Sequence, residues 1–194
     1  MLPGPRPAAG DRETGGEETK TMRVLIPQAE IERRVRELAA DIDRAYGGRL
    51  PDDPVICVGV LKGSVFFLAD LLKLVTVPVA VDFFQTSSYG AQGANRGEVR
   101  IRKDIDLSIH GRDVLLIEDI VDTGYTLRTI LDLLRFRGAR SVRLCALLDK
   151  AAAREVEVAI DYRGFEIENV FVVGYGLDHG ERFRNLPYIA VWEP

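Results

Sequence analysis

The chain has few of the residues that define several special classes of protein. Two cysteines and two histidines among 194 residues are too few for a disulfide framework or a histidine–cysteine metal cluster. Cys57 lies in the apolar run VICVGV and Cys145 in LCALL, and a cysteine in such a run is usually a small buried hydrophobe. We therefore expect a cytoplasmic protein with reduced thiols.

Long apolar runs and a surplus of positive charge are also absent. No stretch reaches the length of a membrane span, and the first residues lack the apolar centre of a signal peptide. Acidic residues outnumber basic ones, 30 to 26, for a net charge of −4. This balance disfavours nonspecific electrostatic binding of nucleic acid. We expect neither membrane nor nucleic-acid partners, although residues 96–103 form a local basic cluster.

The chain divides into a tail and one domain. Residues 1–21 are rich in Gly, Pro, Glu and Thr and have almost no large apolar side chain, so we predict a disordered tail. The remainder, 22–194, has the length and the apolar content of a single globular domain. Polar residues with three glycines over Thr86–Gly97 predict a long mobile loop, with a hairpin as its base.

Helices and strands alternate along the domain. Apolar residues at helical spacing predict helices over Gln28–Tyr46, Val65–Leu74 (capped by Ser64) and Thr126–Arg137. Short apolar runs predict strands over Val55–Val60, Val79–Gln85, Val99–Arg102, Asp113–Asp119, Val142–Leu148, Val170–Val173 and Tyr188–Trp192. This alternation predicts an α/β fold with a doubly wound, mainly parallel sheet.

The most informative segment is VLLIEDIVDTGYT, residues 114–126. Four apolar residues predict a strand buried on both faces, and the adjacent carboxylates Glu118 and Asp119 end that run. A small-residue turn and a predicted helix follow, and amides at a helix start favour anions. A phosphate on the turn, with sugar hydroxyls or magnesium facing the carboxylates, fits this order of parts. The alternative is an N-capped helix after a buried strand.

This segment resembles the phosphoribosyl pyrophosphate motif of type I phosphoribosyltransferases, in particular the EDIIDTG form of the hypoxanthine-guanine phosphoribosyltransferases. The runs FVVGYGLD (171–178) and RFRNLP (182–187) resemble the same family, and the resemblance extends over residues 23–194. It implies that family's fold, with a small hood formed by the chain ends and a mobile loop. It also implies a magnesium-dependent enzyme of purine salvage, and a homodimer or homotetramer.

The implied reaction transfers the 5-phosphoribosyl group from phosphoribosyl pyrophosphate to N9 of hypoxanthine or guanine. The products are IMP or GMP and pyrophosphate. The carboxylates of Glu118 and Asp119 would bind the ribose, directly or through Mg²⁺, and Asp122 would act as general acid or base at N7 of the purine. The 5′-phosphate would lie on the turn formed by Asp122, Thr123, Gly124, Tyr125 and Thr126.

The resemblance also assigns the remaining site residues. Pyrophosphate would be bound by Lys62, Gly63 and Arg184, and Leu61–Lys62 is the candidate for a non-proline cis peptide bond. Lys150 would select a 6-oxopurine, because a lysine only donates hydrogen bonds. Phe171 would stack on the base, and Val172 would contact its edge. Asp178 would bind magnesium, as would Glu118 and Asp119, and Ser88 and Tyr89 would belong to the lid.

Other interpretations stay open at this point. Taken alone, Lys62 is at least as consistent with a solvent-exposed lysine in an ordinary turn, and Lys150 is better explained as a surface lysine. The same scaffold also carries regulators that bind phosphoribosyl pyrophosphate or RNA, transferases for xanthine, adenine or uracil, and inert binding modules. Two positions depart from the family pattern: Tyr125 replaces a lysine found in some members, and His179 replaces a tyrosine found in many. We expect either departure to shift affinity without abolishing activity.

Overall fold

The computed structural model describes residues 22–88 and 99–193. The helices are α1 (Gln28–Tyr46), α2 (Val65–Leu72) and α3 (Tyr125–Phe136). The strands are β1 (Met22–Ile26), β2 (Val55–Leu61), β3 (Val79–Ser88), β4 (Val99–Lys103), β5 (Asp113–Val121), β6 (Ser141–Asp149), β7 (Tyr162–Glu166), β8 (Val172–Val173) and β9 (Ile189–Trp192). The predicted tail, 1–21, lies outside the described residues.

Six strands form the main sheet, in the order β4-β3-β2-β5-β6-β7. All neighbours pair in parallel except β3 and β4, which form the predicted antiparallel hairpin. The predicted mainly parallel α/β sheet is therefore confirmed. The apolar run of β5, 114–117, is completely buried because helices cover both faces of the sheet.

The two faces of the sheet belong to separate apolar clusters. Leu115 and Ile117 pack in the cluster that includes α1 and α2, whereas Val114 and Leu116 pack with α3 on the other side. This alternation follows from the two-residue period of a strand. Both cysteines are buried and free, as expected. Among the described residues, none of the helices combines the length and apolarity that crossing a bilayer requires.

A second, antiparallel sheet joins the two ends of the chain in the order β1-β9-β8. It confirms the part of the predicted hood that the chain ends form. The predicted lid lies mostly outside the described residues: Tyr89 is not described, and Ser88 is the last residue of β3. The strand β3 therefore continues three residues into the predicted loop, because Thr86–Ser88 pair with β4.

The helices agree with the prediction except at their ends. The bounds of α1 are those predicted, α2 ends two residues early at Leu72, and α3 begins one residue early, after Gly124, and ends at Phe136. The prediction that Ser64 caps α2 is wrong: its hydroxyl donates to the Val60 carbonyl (2.6 Å), so it is not used on the helix amides.

Several strand predictions need correction. The strand β5 does not end at Asp119 but continues to Val121, because backbone pairing with β6 goes on past the carboxylates. The strand β8 begins at Val172, not Val170, and β9 begins at Ile189, not Tyr188. Neither β1 nor β7 was predicted. The sequence of β7, YRGFE, lacks the apolar run that identified the other parallel strands.

Candidate active site

The carboxyl ends of β2, β5 and β6 open into a cleft of about 360 Å³. This is the edge at which parallel sheets bind ligands. The predicted site residues that line it are Lys62, Gly63, Glu118, Asp119, Asp122, Lys150, Phe171, Val172, Asp178 and Arg184. Val60, Leu61, Ile120 and Leu177 also line it; they were not predicted, because apolar residues in strands and turns give no sign of a ligand.

The turn after β5 is held by hydrogen bonds from residues 154–156. The Thr123 carbonyl accepts hydrogen bonds from the amides of Glu155 (3.0 Å) and Val156 (2.9 Å). Arg154 Nε donates to the carbonyl of Asp122 (2.9 Å). The predicted phosphate residues 123–126 thus form a fixed turn and the start of α3, beside the cleft rather than among its lining residues. Amides in the first turn of a helix have no intrahelical acceptor, so they suit an anion.

Gly124 is required at this turn. Its φ is +95°, and a Cβ added there would lie 2.4 Å from the Val156 carbonyl oxygen. Arg154, which also donates to the Asp149 carboxylate, is a site-supporting residue that the sequence did not reveal. Nothing in its local pattern separates it from a surface arginine.

The two carboxylates of β5 are half-buried at the floor of the cleft. Burial, and then the neighbouring charge of Asp119, raises the pKa of Glu118 well above its usual range. Burial also raises the pKa of Asp119 to about 6, against the opposing effect of backbone amides and Arg184. Among the described residues, Glu118 Oε2 is buried with no hydrogen-bond partner. A ligand hydroxyl or a hydrated cation would satisfy such an atom.

The loop after β2 lies against Asp119. The Leu61–Lys62 peptide bond is cis, as predicted. A Cβ added at Gly63 would fall 1.8 Å from Asp119 Oδ2, so a larger residue there would displace the Asp119 carboxylate. Gly63 therefore lies directly against the Asp119 carboxylate.

Positive and negative side chains alternate along the far wall of the cleft. Arg184 Nη2 lies 2.7 Å from Asp178 Oδ1 and 3.2 Å from Glu181 Oε2, and Nη1 donates to the Gly176 carbonyl (2.7 Å). Lys62 Nζ lies 2.9 Å from Glu181 Oε1. Glu181 was not predicted. Its position three residues after Asp178 and three before Arg184 was the available signal.

An aromatic group and a lysine form the remaining wall. Lys150 is buried, and its Nζ lies 4.0 Å from Asp122 Oδ2. Phe171 is 51% exposed, and its ring meets His179 edge-on with centroids 5.7 Å apart. His179 in turn stacks on Trp192 at 5.3 Å. An exposed, supported ring beside a buried lysine is suited to a flat ligand that carries a hydrogen-bond acceptor.

Residues 25–179 match the family described as the phosphoribosyl transferase domain. That match covers most of the chain and both floor carboxylates, so the chain belongs to the phosphoribosyltransferase family. Three relatives place it more narrowly, within the hypoxanthine-guanine phosphoribosyltransferases.

The hypoxanthine-guanine phosphoribosyltransferase of Bacillus subtilis (strain 168) is 46% identical over 172 residues, which is 89% of this chain and 93% of that protein. The bifunctional protein TilS/HprT of Listeria monocytogenes serotype 4b (strain F2365) is 48% identical over 94% of this chain. The chain spans only 28% of the length of that relative. The structure of hypoxanthine phosphoribosyltransferase from Trypanosoma cruzi superposes with a TM-score of 0.85 at 38% identity, covering 92% of this chain and 98% of that one.

Proposed function

We propose that this protein transfers the 5-phosphoribosyl group from phosphoribosyl pyrophosphate to N9 of hypoxanthine or guanine, forming IMP or GMP and releasing pyrophosphate. The observation that carries the proposal is the meeting of four chemically different segments in one cleft: the Lys62–Gly63 loop, the Glu118–Asp122 segment, Lys150 and the 171–184 segment. Each matches one part of the two substrates. The reaction belongs to purine salvage.

The sugar phosphate occupies the centre of the cleft in this proposal. The 5′-phosphate binds the turn formed by residues 122–126, where helix amides and hydroxyls converge. The carboxylates of Glu118 and Asp119 accept hydrogen bonds from the ribose hydroxyls, which supplies a partner for the orphaned Oε2 of Glu118. Lys62, Gly63 and Arg184 hold the pyrophosphate group, because a guanidinium fork and an ammonium suit phosphate oxygens.

The purine lies between Phe171 and Lys150. Phe171 stacks on the ring, Val172 contacts its edge, and Lys150 donates to the oxygen at position 6. Asp122 is 54% exposed and lies beside Lys150, which supports its role as the acid or base that moves a proton at N7. Fixing both substrates in line and balancing the separating charges supplies most of the rate enhancement.

The donor set of the cleft also fits magnesium. Among residues 22–88 and 99–193, no group of three or more His, Cys, Asp or Glu side chains forms a closed metal cage. Mg²⁺ needs none, since it keeps waters and substrate oxygens and takes one or two carboxylates from the protein. Asp178, Glu118 and Asp119 are the candidate carboxylates, of which one or two would hold it. When bound, Mg²⁺ neutralises charge on the pyrophosphate leaving group.

A single assay tests the proposal. Pyrophosphate release is followed with phosphoribosyl pyrophosphate, Mg²⁺ and, in turn, hypoxanthine, guanine, xanthine or adenine. We expect release with hypoxanthine and guanine, and little with adenine. No release with any purine would favour a binding protein on the same scaffold, and a preference for adenine would contradict the role of Lys150. Sedimentation tests the predicted dimer or tetramer, and cytoplasmic location stays a prediction.

A further inference from the structure

Both cations that we assign to the pyrophosphate group are already paired with one carboxylate. Glu181 Oε1 lies 2.9 Å from Lys62 Nζ, and Oε2 lies 3.2 Å from Arg184 Nη2. The two cations come from distant parts of the chain, the loop after β2 and the segment before β9. Glu181 therefore joins the two sides of the cleft where a diphosphate would have to bind.

The backbone holds this carboxylate in place. His179 and Arg182 exchange backbone hydrogen bonds at 3.1 and 3.2 Å, which makes a tight turn with Glu181 inside it. Glu181 has a φ of +64°, a conformation that a residue with a side chain rarely adopts. Its amide donates to Asp178 Oδ2 at 2.8 Å. The side chain is thus presented by a built turn, although it is 64% exposed.

The pairing leaves the arginine incompletely satisfied. Arg184 Nε is buried with no acceptor among the described residues, while Nη1 and Nη2 face a carbonyl and two carboxylates. A diphosphate offers more oxygens and more negative charge than one carboxylate. The Glu181 carboxylate occupies both cations with its two oxygens, so the diphosphate has to compete with it for the same partners.

Resting on the function proposed above, we propose that Glu181 is an affinity-setting residue, an internal anion that the diphosphate group must displace. It weakens the binding of phosphoribosyl pyrophosphate and of released pyrophosphate, and it re-forms its pairs with Lys62 and Arg184 when pyrophosphate leaves. Its ion pairs and hydrogen bond in the described structure are with Lys62, Arg184 and Asp178, and not with the turn at residues 122–126 or Lys150, so we expect purine binding to be independent of it.

The test compares Glu181→Gln with Glu37→Gln. Glu37 also bridges two cations, Arg33 and Arg34, but lies on α1 away from the cleft. Calorimetric binding of inorganic pyrophosphate is measured with Mg²⁺ for the wild type and both variants. Because exposed ion pairs contribute little each, we expect roughly three- to tenfold tighter binding for Glu181→Gln. We expect Glu37→Gln to bind pyrophosphate with the affinity of the wild type. We expect neither variant to change the KM for hypoxanthine.

Further measurements separate the possible failures. Glu181→Asp keeps the charge and is expected to bind pyrophosphate closer to wild-type strength than Glu181→Gln does. Unchanged or weaker binding by Glu181→Gln, in an enzyme whose wild type is active, overturns the inference alone; weaker binding would mean that Glu181 positions the cations for the ligand. A wild type that neither binds pyrophosphate nor consumes phosphoribosyl pyrophosphate removes the proposed function, and the inference with it.

Discussion

Glu118 and Asp119 are adjacent in β5, and both line the cleft. Asp119 lies against the loop after β2, where a Cβ added at Gly63 would meet its carboxylate. Glu118 Oε2 is buried and has no hydrogen-bond partner among the described residues. Under the proposed function, each acid can accept a hydrogen bond from a different hydroxyl of the ribose.

Asp122 gives the sharpest test at the residue scale. Asp122→Asn keeps the size of the side chain and removes its ability to exchange a proton. We expect kcat to fall by about 10²- to 10⁴-fold, the usual contribution of general acid–base catalysis, with little change in KM for either substrate. Steady-state kinetics measure both constants. The matched control is Asp132→Asn on α3, since Asp132 is also 54% exposed but lies away from the cleft. An unchanged kcat would remove Asp122 from the chemistry.

In the proposed function, Lys150 selects the base. A lysine donates to an oxygen at position 6 but meets only another donor in adenine. We expect Lys150→Ala to reduce the preference for hypoxanthine over adenine by roughly 10- to 100-fold in kcat/KM, the size of one hydrogen bond to a charged group. Lys73→Ala, at an exposed lysine of similar charge, should leave the preference intact. Full preference retained in Lys150→Ala would place the selection elsewhere.

At the scale of elements, the strand–turn–helix unit β5–α3 was largely predictable because its signals are consecutive. A buried apolar run, two acids, a small-residue turn and an amphipathic helix follow one another within 24 residues of sequence, 113–136. Only the predicted boundaries of this unit were wrong. The strand β5 continues beyond its two carboxylates because its backbone still pairs with β6 there, and the polarity of the side chains gives no sign of that pairing.

The supports of the site could not be predicted in the same way. Arg154 holds the turn at Asp122, and Glu181 reaches Lys62, through contacts between residues far apart in the chain. Spacing rules describe neighbours on one element, so they give no information on such contacts. The strand β7 was not predicted for a related reason. It lacks an apolar run of its own, and it is a strand because its backbone pairs with β6.

The turn before α3 supplies a test at this scale. Gly124→Ala places a Cβ 2.4 Å from the Val156 carbonyl oxygen, so the turn must move away from its support. We expect KM for phosphoribosyl pyrophosphate to rise by tenfold or more, because catalytic and binding groups lose alignment with small displacements. The fold should survive.

The control for Gly124→Ala is Gly48→Ala. Gly48 also has a positive φ, +80°, but a Cβ there meets nothing within 4 Å. Both substitutions carry the same conformational cost of about 1–2 kcal/mol, which chemical denaturation measures. We expect a larger loss of stability for Gly124→Ala, which adds a backbone clash to the shared cost, and a rise in KM for phosphoribosyl pyrophosphate in that variant alone. If Gly124→Ala and Gly48→Ala have equal KM values for phosphoribosyl pyrophosphate, the turn does not bind the sugar phosphate.

At the scale of the whole molecule, the cleft connects the main sheet to the sheet formed by the chain ends. Lys62, Asp119 and Lys150 come from the main sheet or the loops that follow its strands, whereas Val172 lies in β8 and Arg184 precedes β9. In the described structure, Lys62 and Glu181 form an exposed ion pair across this boundary, and such a pair contributes little to stability. A ligand that binds both sides would add a stronger connection.

Thermal unfolding should therefore respond to the complete sugar-phosphate ligand. At a free concentration of 100 Kd, a ligand that binds only the folded state stabilises it by about 2.7 kcal/mol, which in a chain of this size raises Tm by roughly 5–10 °C. We expect that rise with phosphoribosyl pyrophosphate and Mg²⁺ together. Ribose 5-phosphate, which reaches only the turn and the floor carboxylates, should give a smaller rise at the same concentration.

Chelating Mg²⁺ with EDTA should remove most of the effect of phosphoribosyl pyrophosphate, because the diphosphate then meets Asp178 and Glu181 without a cation to offset their charge. The effect of ribose 5-phosphate should change less, since its phosphate binds the turn at residues 122–126, away from those two carboxylates. A Tm that rises equally with both ligands, with or without Mg²⁺, would mean that the diphosphate does not reach Lys62 and Arg184. The ligand would then add no connection between the two sheets.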